Sequence, residues 1–141
     1  MPAYWDTSAI LHLCVPGQAS RHAKELLRSF PPVVWWGTSV EVHSALMRLR
    51  RAGHISTAAY HSSNQRLVAL VSSWKEIQPG EALRDLAMTQ LDRFPLTAAD
   101  AFQLGAALIW SKQKPRGRLF ICNDTRLRAA AAEAGFEVEQ V

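Results

Sequence analysis

Short, nearly uninterrupted apolar runs alternate along the chain with segments whose apolar residues recur every three or four positions. The first kind reads as strands covered on both sides, the second as amphipathic helices. Residues 3–5, 33–36, 74–77, 118–122 and 136–138 make up the strand set. Helices are expected over 9–15, 21–30, 38–52, 56–71, 81–94 and 98–112, and from Asp124 or Thr125 to Ala134. Ser20, Ser56 and Thr97 read as helix starts, and Pro16-Gly17, Pro31-Pro32, Gly53, Pro79-Gly80, Pro95 and Gly135 as stops. The helix at 98–112 is apolar on nearly every side and belongs in the middle of the domain. Such alternation predicts a three-layer α/β/α domain with a small, mostly parallel central sheet flanked by helices. Two successive helices between the second and third strands depart from a plain doubly wound pattern. They are expected as a hairpin projecting from the body.

Length and composition narrow this picture. A chain of 141 residues suits one domain spanning 1–141, and 48% hydrophobic with 20% charged residues suits a soluble globular core. No apolar run approaches the roughly 20 residues that cross a bilayer. The N-terminus has no signal-peptide pattern, so a cytoplasmic protein is expected. Cys14 and Cys122 then read as two buried thiols rather than a disulfide. A net charge of +4 and a pI near 9.5 favour a polyanionic or acidic partner.

The chemistry lies in where the acids fall. Asp6 follows Ala-Tyr-Trp, Glu41 follows Val-Val-Trp-Trp-Gly-Thr-Ser-Val, Asp100 ends Leu-Thr-Ala-Ala-Asp, and Asp124 follows Leu-Phe-Ile-Cys-Asn. Each stands where an apolar run gives way to a turn or a helix. In an open parallel sheet such positions can converge on one crevice. Each also has a structural explanation: Asp6 and Asp124 as N-caps, Glu41 and Asp100 as the acids of capping boxes opened by Thr38 and Thr97. Their joint placement points further. Two carboxylates about 5 Å apart repel by roughly 3 kcal/mol at an effective dielectric near 20. A convergent quartet therefore requires divalent cations or retained protons. Oxygen-only ligands suit Mg²⁺ or Mn²⁺ better than zinc.

Four ordered segments extend the reading. They are Tyr4-Trp5-Asp6-Thr7-Ser8-Ala9-Ile10, then Thr38-Ser39-Val40-Glu41-Val42-His43-Ser44-Ala45-Leu46, then the stretch from Pro95 to Leu108, and Phe120-Ile121-Cys122-Asn123-Asp124-Thr125-Arg126-Leu127. With these the chain resembles PIN-domain ribonucleases, most closely the toxins of VapBC-type toxin–antitoxin pairs. The resemblance implies a PIN-like fold and Mg²⁺- or Mn²⁺-dependent hydrolysis of RNA phosphodiester bonds. It carries the family's acidic metal-binding quartet onto Asp6, Glu41, Asp100 and Asp124. Asp6 and Asp100 are expected as principal ligands, with Glu41 and Asp124 as ligands or water-positioning groups. Thr7 or Ser8 matches the hydroxyl residue after the first Asp. Cys122 departs from the pattern, since many relatives have Thr or Ser there, and a supporting hydroxyl is missing. The same resemblance implies a cognate antitoxin and a homodimer.

Other residues add less. Arg48, Arg50, Arg51, Lys112, Lys114, Arg116 and Arg118 are either RNA-backbone contacts or solvated charges. Trp5, Trp35 and Trp36 are expected in the core, and the five histidines have no ligand-like spacing. A dehalogenase-type phosphatase needs a second Asp where Ser8 stands, and a receiver domain needs a late Lys where Asp124 stands. The alternative that keeps the fold is a catalytically silent RNA- or protein-binding module.

Overall fold

The computed structural model describes residues 1–141. Five strands, β1 (Ala3–Trp5), β2 (Pro32–Trp35), β3 (Lys75–Ile77), β4 (Leu119–Ile121) and β5 (Glu137–Glu139), form one sheet in the order β3-β2-β1-β4-β5. Every neighbouring pair is parallel, so the expected mostly parallel sheet is wholly so. Parallel neighbours need crossovers, and seven helices supply them: α1 (Thr7–Cys14), α2 (Ser20–Ser29), α3 (Thr38–Arg51), α4 (Thr57–Val71), α5 (Glu81–Arg93), α6 (Ala98–Trp110) and α7 (Thr125–Ala134).

Side chains alternate across each strand, and this alternation builds two cores. Ala3, Trp5, Val34 and Ile121 meet Ile10, Leu13, Val42, Leu46, Tyr60 and Leu67 from α1, α3 and α4. Tyr4, Val33, Phe120 and Cys122 meet Leu83, Leu104, Ala106, Leu108, Leu127 and Ala131 from α5, α6 and α7. The result is three layers. Helices α3 and α4 pack against each other as a helical pair and bury Val42, Leu46, Tyr60 and Leu67 toward α1 and the core beneath it, while residues 50–54 at their junction are exposed.

Smaller expectations also shift. Trp36 lies beyond β2 in a turn and is 53% exposed, whereas the preceding Val33 and Val34 are buried. Ser20 is the first residue of α2 rather than its cap, and its hydroxyl instead closes the Pro16-Gly17 turn by accepting from Gly17 N. Both cysteines are buried free thiols. No helix is long and apolar enough to cross a membrane.

The strand order reverses at β1, which has β2 on one side and β4 on the other. Ligand crevices in open α/β sheets form at that point, outside the C-terminal strand ends. Helix α6 runs back along the sheet before β4, which brings its first turn to the same end. Gly105 lets α6 approach α5 closely: a Cβ there would lie 3.2 Å from Ala87 N and from Leu83 Cδ1.

Candidate active site

Backbone demands place the acids first. Asp6 leaves β1 as the N-cap of α1, and its Oδ1 accepts from Ala9 N at 3.2 Å and from Ser8 Oγ at 2.7 Å. Asp124 caps α7, accepting from Leu127 N at 2.8 Å. Asp100 sits in the first turn of α6, where Thr97 Oγ1 accepts from Asp100 N at 3.2 Å. Asp6 and Asp124 thus satisfy helix-start amides as the sequence suggests, whereas at α6 Thr97 is the cap and Asp100 the first-turn acid. Glu41 differs. Gly37 is the N-cap of α3 without a side-chain bond, and Thr38 is a buried first-turn residue, so no capping box forms there.

Asp6, Glu41, Asp100 and Asp124 nonetheless line one cavity of about 530 Å³, together with Thr7, Ser8, Ser44 and Arg48. They come from four separate segments, and the end of the sheet brings them together. The chain's ion pairs join Arg21 with Glu25, and His22 with Glu25 and Glu139; none involves the quartet. As the side chains are oriented, no group of three or more His, Cys, Asp or Glu stands close enough to enclose an ion.

Burial and like charge shape the electrostatics. Desolvation pushes the Asp6 carboxyl from its ordinary 3.8 up to about 7, against the opposing hydrogen bonds from Ser8, Ala9 and Cys122. Asp100 is also raised, first by burial and then by the charges of Asp124 and Glu41. Mutual destabilisation of ionised carboxylates is what a hard divalent cation relieves, and the all-oxygen donor set fits one in kind. Asp6, Glu41, Asp100 and Asp124, which line the cavity, are the residues that would hold it.

Ser8 and Cys122 explain each other. The Ser8 hydroxyl donates to Asp6 and accepts from Asn123 N at 2.8 Å and Asp124 N at 3.2 Å, tying the exit of β1 to that of β4. The Cys122 thiol lies 3.9 Å from the same hydroxyl, and burial holds its pKa well above the usual range. Ser8 thus bridges the first and last acids, the place where the missing hydroxyl at position 122 raised a question.

A buried polar side chain went unnoticed in the sequence. Gln103, 1% exposed, accepts from Tyr4 OH at 2.7 Å and donates to Thr7 Oγ1 at 2.9 Å and Glu41 Oε1 at 3.0 Å. Thr7 also donates to Glu41 Oε1 at 3.0 Å, and Trp35 Nε1 reaches Glu41 Oε2 at 3.4 Å. An amide in the most apolar helix of the chain was the available signal.

The basic residues divide. Arg48 lines the acidic cavity, whereas Arg50 lies over the Tyr60 ring and Arg118 over Trp110. Arg51, Lys112, Lys114 and Arg116 are exposed. No histidine lines the cavity; His43 packs edge-on to Tyr60.

No family model matches the chain, and no curated protein matches its sequence. Solved structures do match its shape. A toxin–antitoxin complex from Klebsiella pneumoniae contains a chain 21% identical, with 90% of both chains covered and a TM-score of 0.65. PAE2754 from Pyrobaculum aerophilum is 18% identical over 98% of this chain and 89% of its own, with a TM-score of 0.65. FitAcB from Neisseria gonorrhoeae is 16% identical over 96% of each chain, with a TM-score of 0.62. At these identities the likeness is one of fold, and the chain carries the three-layer, PIN-like α/β/α fold that its four ordered segments implied.

Proposed function

We propose that this protein is a Mg²⁺- or Mn²⁺-dependent endoribonuclease and the toxin of a toxin–antitoxin pair. One observation carries the reading: Asp6, Glu41, Asp100 and Asp124, from four segments, line a single cavity at the strand-order reversal. A divalent cation, when bound, lowers the pKa of water and offsets charge on the phosphate. Asp6 and Asp100 would supply its principal ligands, and Glu41 and Asp124 further ligands or an acceptor that orients water. Arg48, on the wall of the same cavity, is suited to a phosphate oxygen of the RNA backbone. The carboxylates that line the cavity are the groups suited to handle the proton.

Partners follow from the same reading. A chain of this fold occurs in a toxin–antitoxin complex, which supports a cognate antitoxin here. An antitoxin side chain of positive charge would compete with cations for the acidic cavity. A cytoplasmic homodimer is the expected free state.

The test is purified protein with total RNA, with Mg²⁺ or Mn²⁺ or with chelator, beside Asp6→Asn. Discrete, metal-dependent cleavage by the parent and none by the folded variant are expected. Full activity in Asp6→Asn removes Asp6 from the mechanism, and RNA binding without cleavage under any metal favours the silent binding module.

A further inference from the structure

Glu41 lies within the first turn of α3 and caps no helix, so something else must fix its carboxylate. Three neutral donors do so: Thr7 Oγ1 and Gln103 Nε2 on Oε1, each at 3.0 Å, and Trp35 Nε1 on Oε2 at 3.4 Å. Gln103 organises the set. Its Nε2 also donates to Thr7 Oγ1 at 2.9 Å, which commits the Thr7 proton to Glu41. The amide could in principle be turned over, but its carbonyl oxygen would then face a carboxylate. Tyr4 sets the orientation from behind: its fully buried hydroxyl donates to Gln103 Oε1 at 2.7 Å, and its ring is held by stacking on Phe120 at 5.1 Å. Donors thus run in one direction, from Tyr4 through Gln103 and Thr7 to Glu41.

We infer that Gln103, oriented by Tyr4, is a positioning residue that presents Glu41 to the cation and substrate cavity. This role rests on the nuclease reading. Gln103 is buried and does not line the cavity, so it acts through Glu41 and leaves RNA contacts alone. Groups that orient metal-binding side chains commonly change metal affinity or activity by roughly 10- to 100-fold when removed.

The experiment compares the parent with Gln103→Leu, Tyr4→Phe, Glu41→Gln and the Gln103→Leu/Glu41→Gln double variant. Mn²⁺ binding is read by electron paramagnetic resonance, and RNA cleavage as kcat, KM and the metal concentration for half-maximal rate. Tyr4→Phe removes one hydroxyl and keeps the ring, which covers the case in which Gln103→Leu fails to fold. Both variants are expected to weaken Mn²⁺ binding and lower kcat by about 10-fold or more, with KM for RNA unchanged. In the Glu41→Gln background, Gln103→Leu should cost little more, because both act through one carboxylate. Folded variants with parental Mn²⁺ affinity and kcat, or an equal loss in both backgrounds, overturn the positioning role alone. A parent that neither binds Mn²⁺ nor cuts RNA overturns the nuclease reading and this role with it.

Discussion

Asp6 is a helix cap and a candidate metal ligand at once, and its burial makes that double duty measurable. The folded protein retains the Asp6 proton up to about pH 7, whereas the unfolded chain releases it near 3.8. Between those values the native state binds more protons, so this group's contribution to stability falls as pH rises and levels off above about 7. A rise of this size corresponds to at most about 4 kcal/mol. Denaturation in chelator should therefore show the parent losing stability from pH 4 to 7, with a clearly flatter profile for Asp6→Asn. Added Mn²⁺ should restore stability to the parent near neutrality and not to the variant. Ser8 gives a second residue-scale test. Its hydroxyl serves Asp6, Asn123 N and Asp124 N, so Ser8→Ala should cost about 1–3 kcal/mol in urea unfolding and reduce cleavage. A loss below about 0.5 kcal/mol would mean that water replaces the hydroxyl.

At the scale of elements, α6 carries most of the design. It brings Asp100 in its first turn, Gln103 one turn later and Gly105 against α5. Its apolar composition marked it as central, and Thr97 marked its start, so the element itself was legible in the sequence. What the pattern hid was the reason for two residues that break it. Gln103 reads as an interruption until Tyr4 and Glu41, 99 and 62 residues away along the chain, are seen to meet it. Gly105 reads as a weak helix former until Ala87 and Leu83 are found within 3.2 Å of its missing side chain. Gly105→Val should thus destabilise the protein by about 1–3 kcal/mol through overpacking, more than helix propensity alone predicts. Thermal unfolding checks this, and an unchanged Tm would show that α5 gives way freely. Helix boundaries were otherwise read to within a residue or two, which is the uncertainty at fraying ends.

For the molecule as a whole, charge is arranged in opposition. The chain carries a net charge of +4 together with an acidic cavity that has Arg48 on its wall. Polyanion affinity should therefore fall with salt while catalysis in the cavity does not. KM for RNA is expected to rise steeply between about 50 and 200 mM salt, with kcat nearly constant at saturating RNA. A salt-independent KM would shift binding away from Arg48 and its neighbours toward apolar contacts. The expected pairing of α3 with α4 is present, and what their apolar pattern left open is that the buried stripe is seated against α1.

Periodicity settled the strands, the helices and the three-layer class, because these depend on local burial patterns and on the short range of turn and cap chemistry. The acids were legible for the same reason, since each sits at a strand exit or helix start that the chain itself marks. Strand order, the single shared cavity and the bonds onto Glu41 belong to the tertiary structure alone. They depend on contacts across tens of residues, where no sequence period operates and packing decides which ends meet. So the chain names its four carboxylates, and only the fold explains why Gln103 and Ser8 stand beside them.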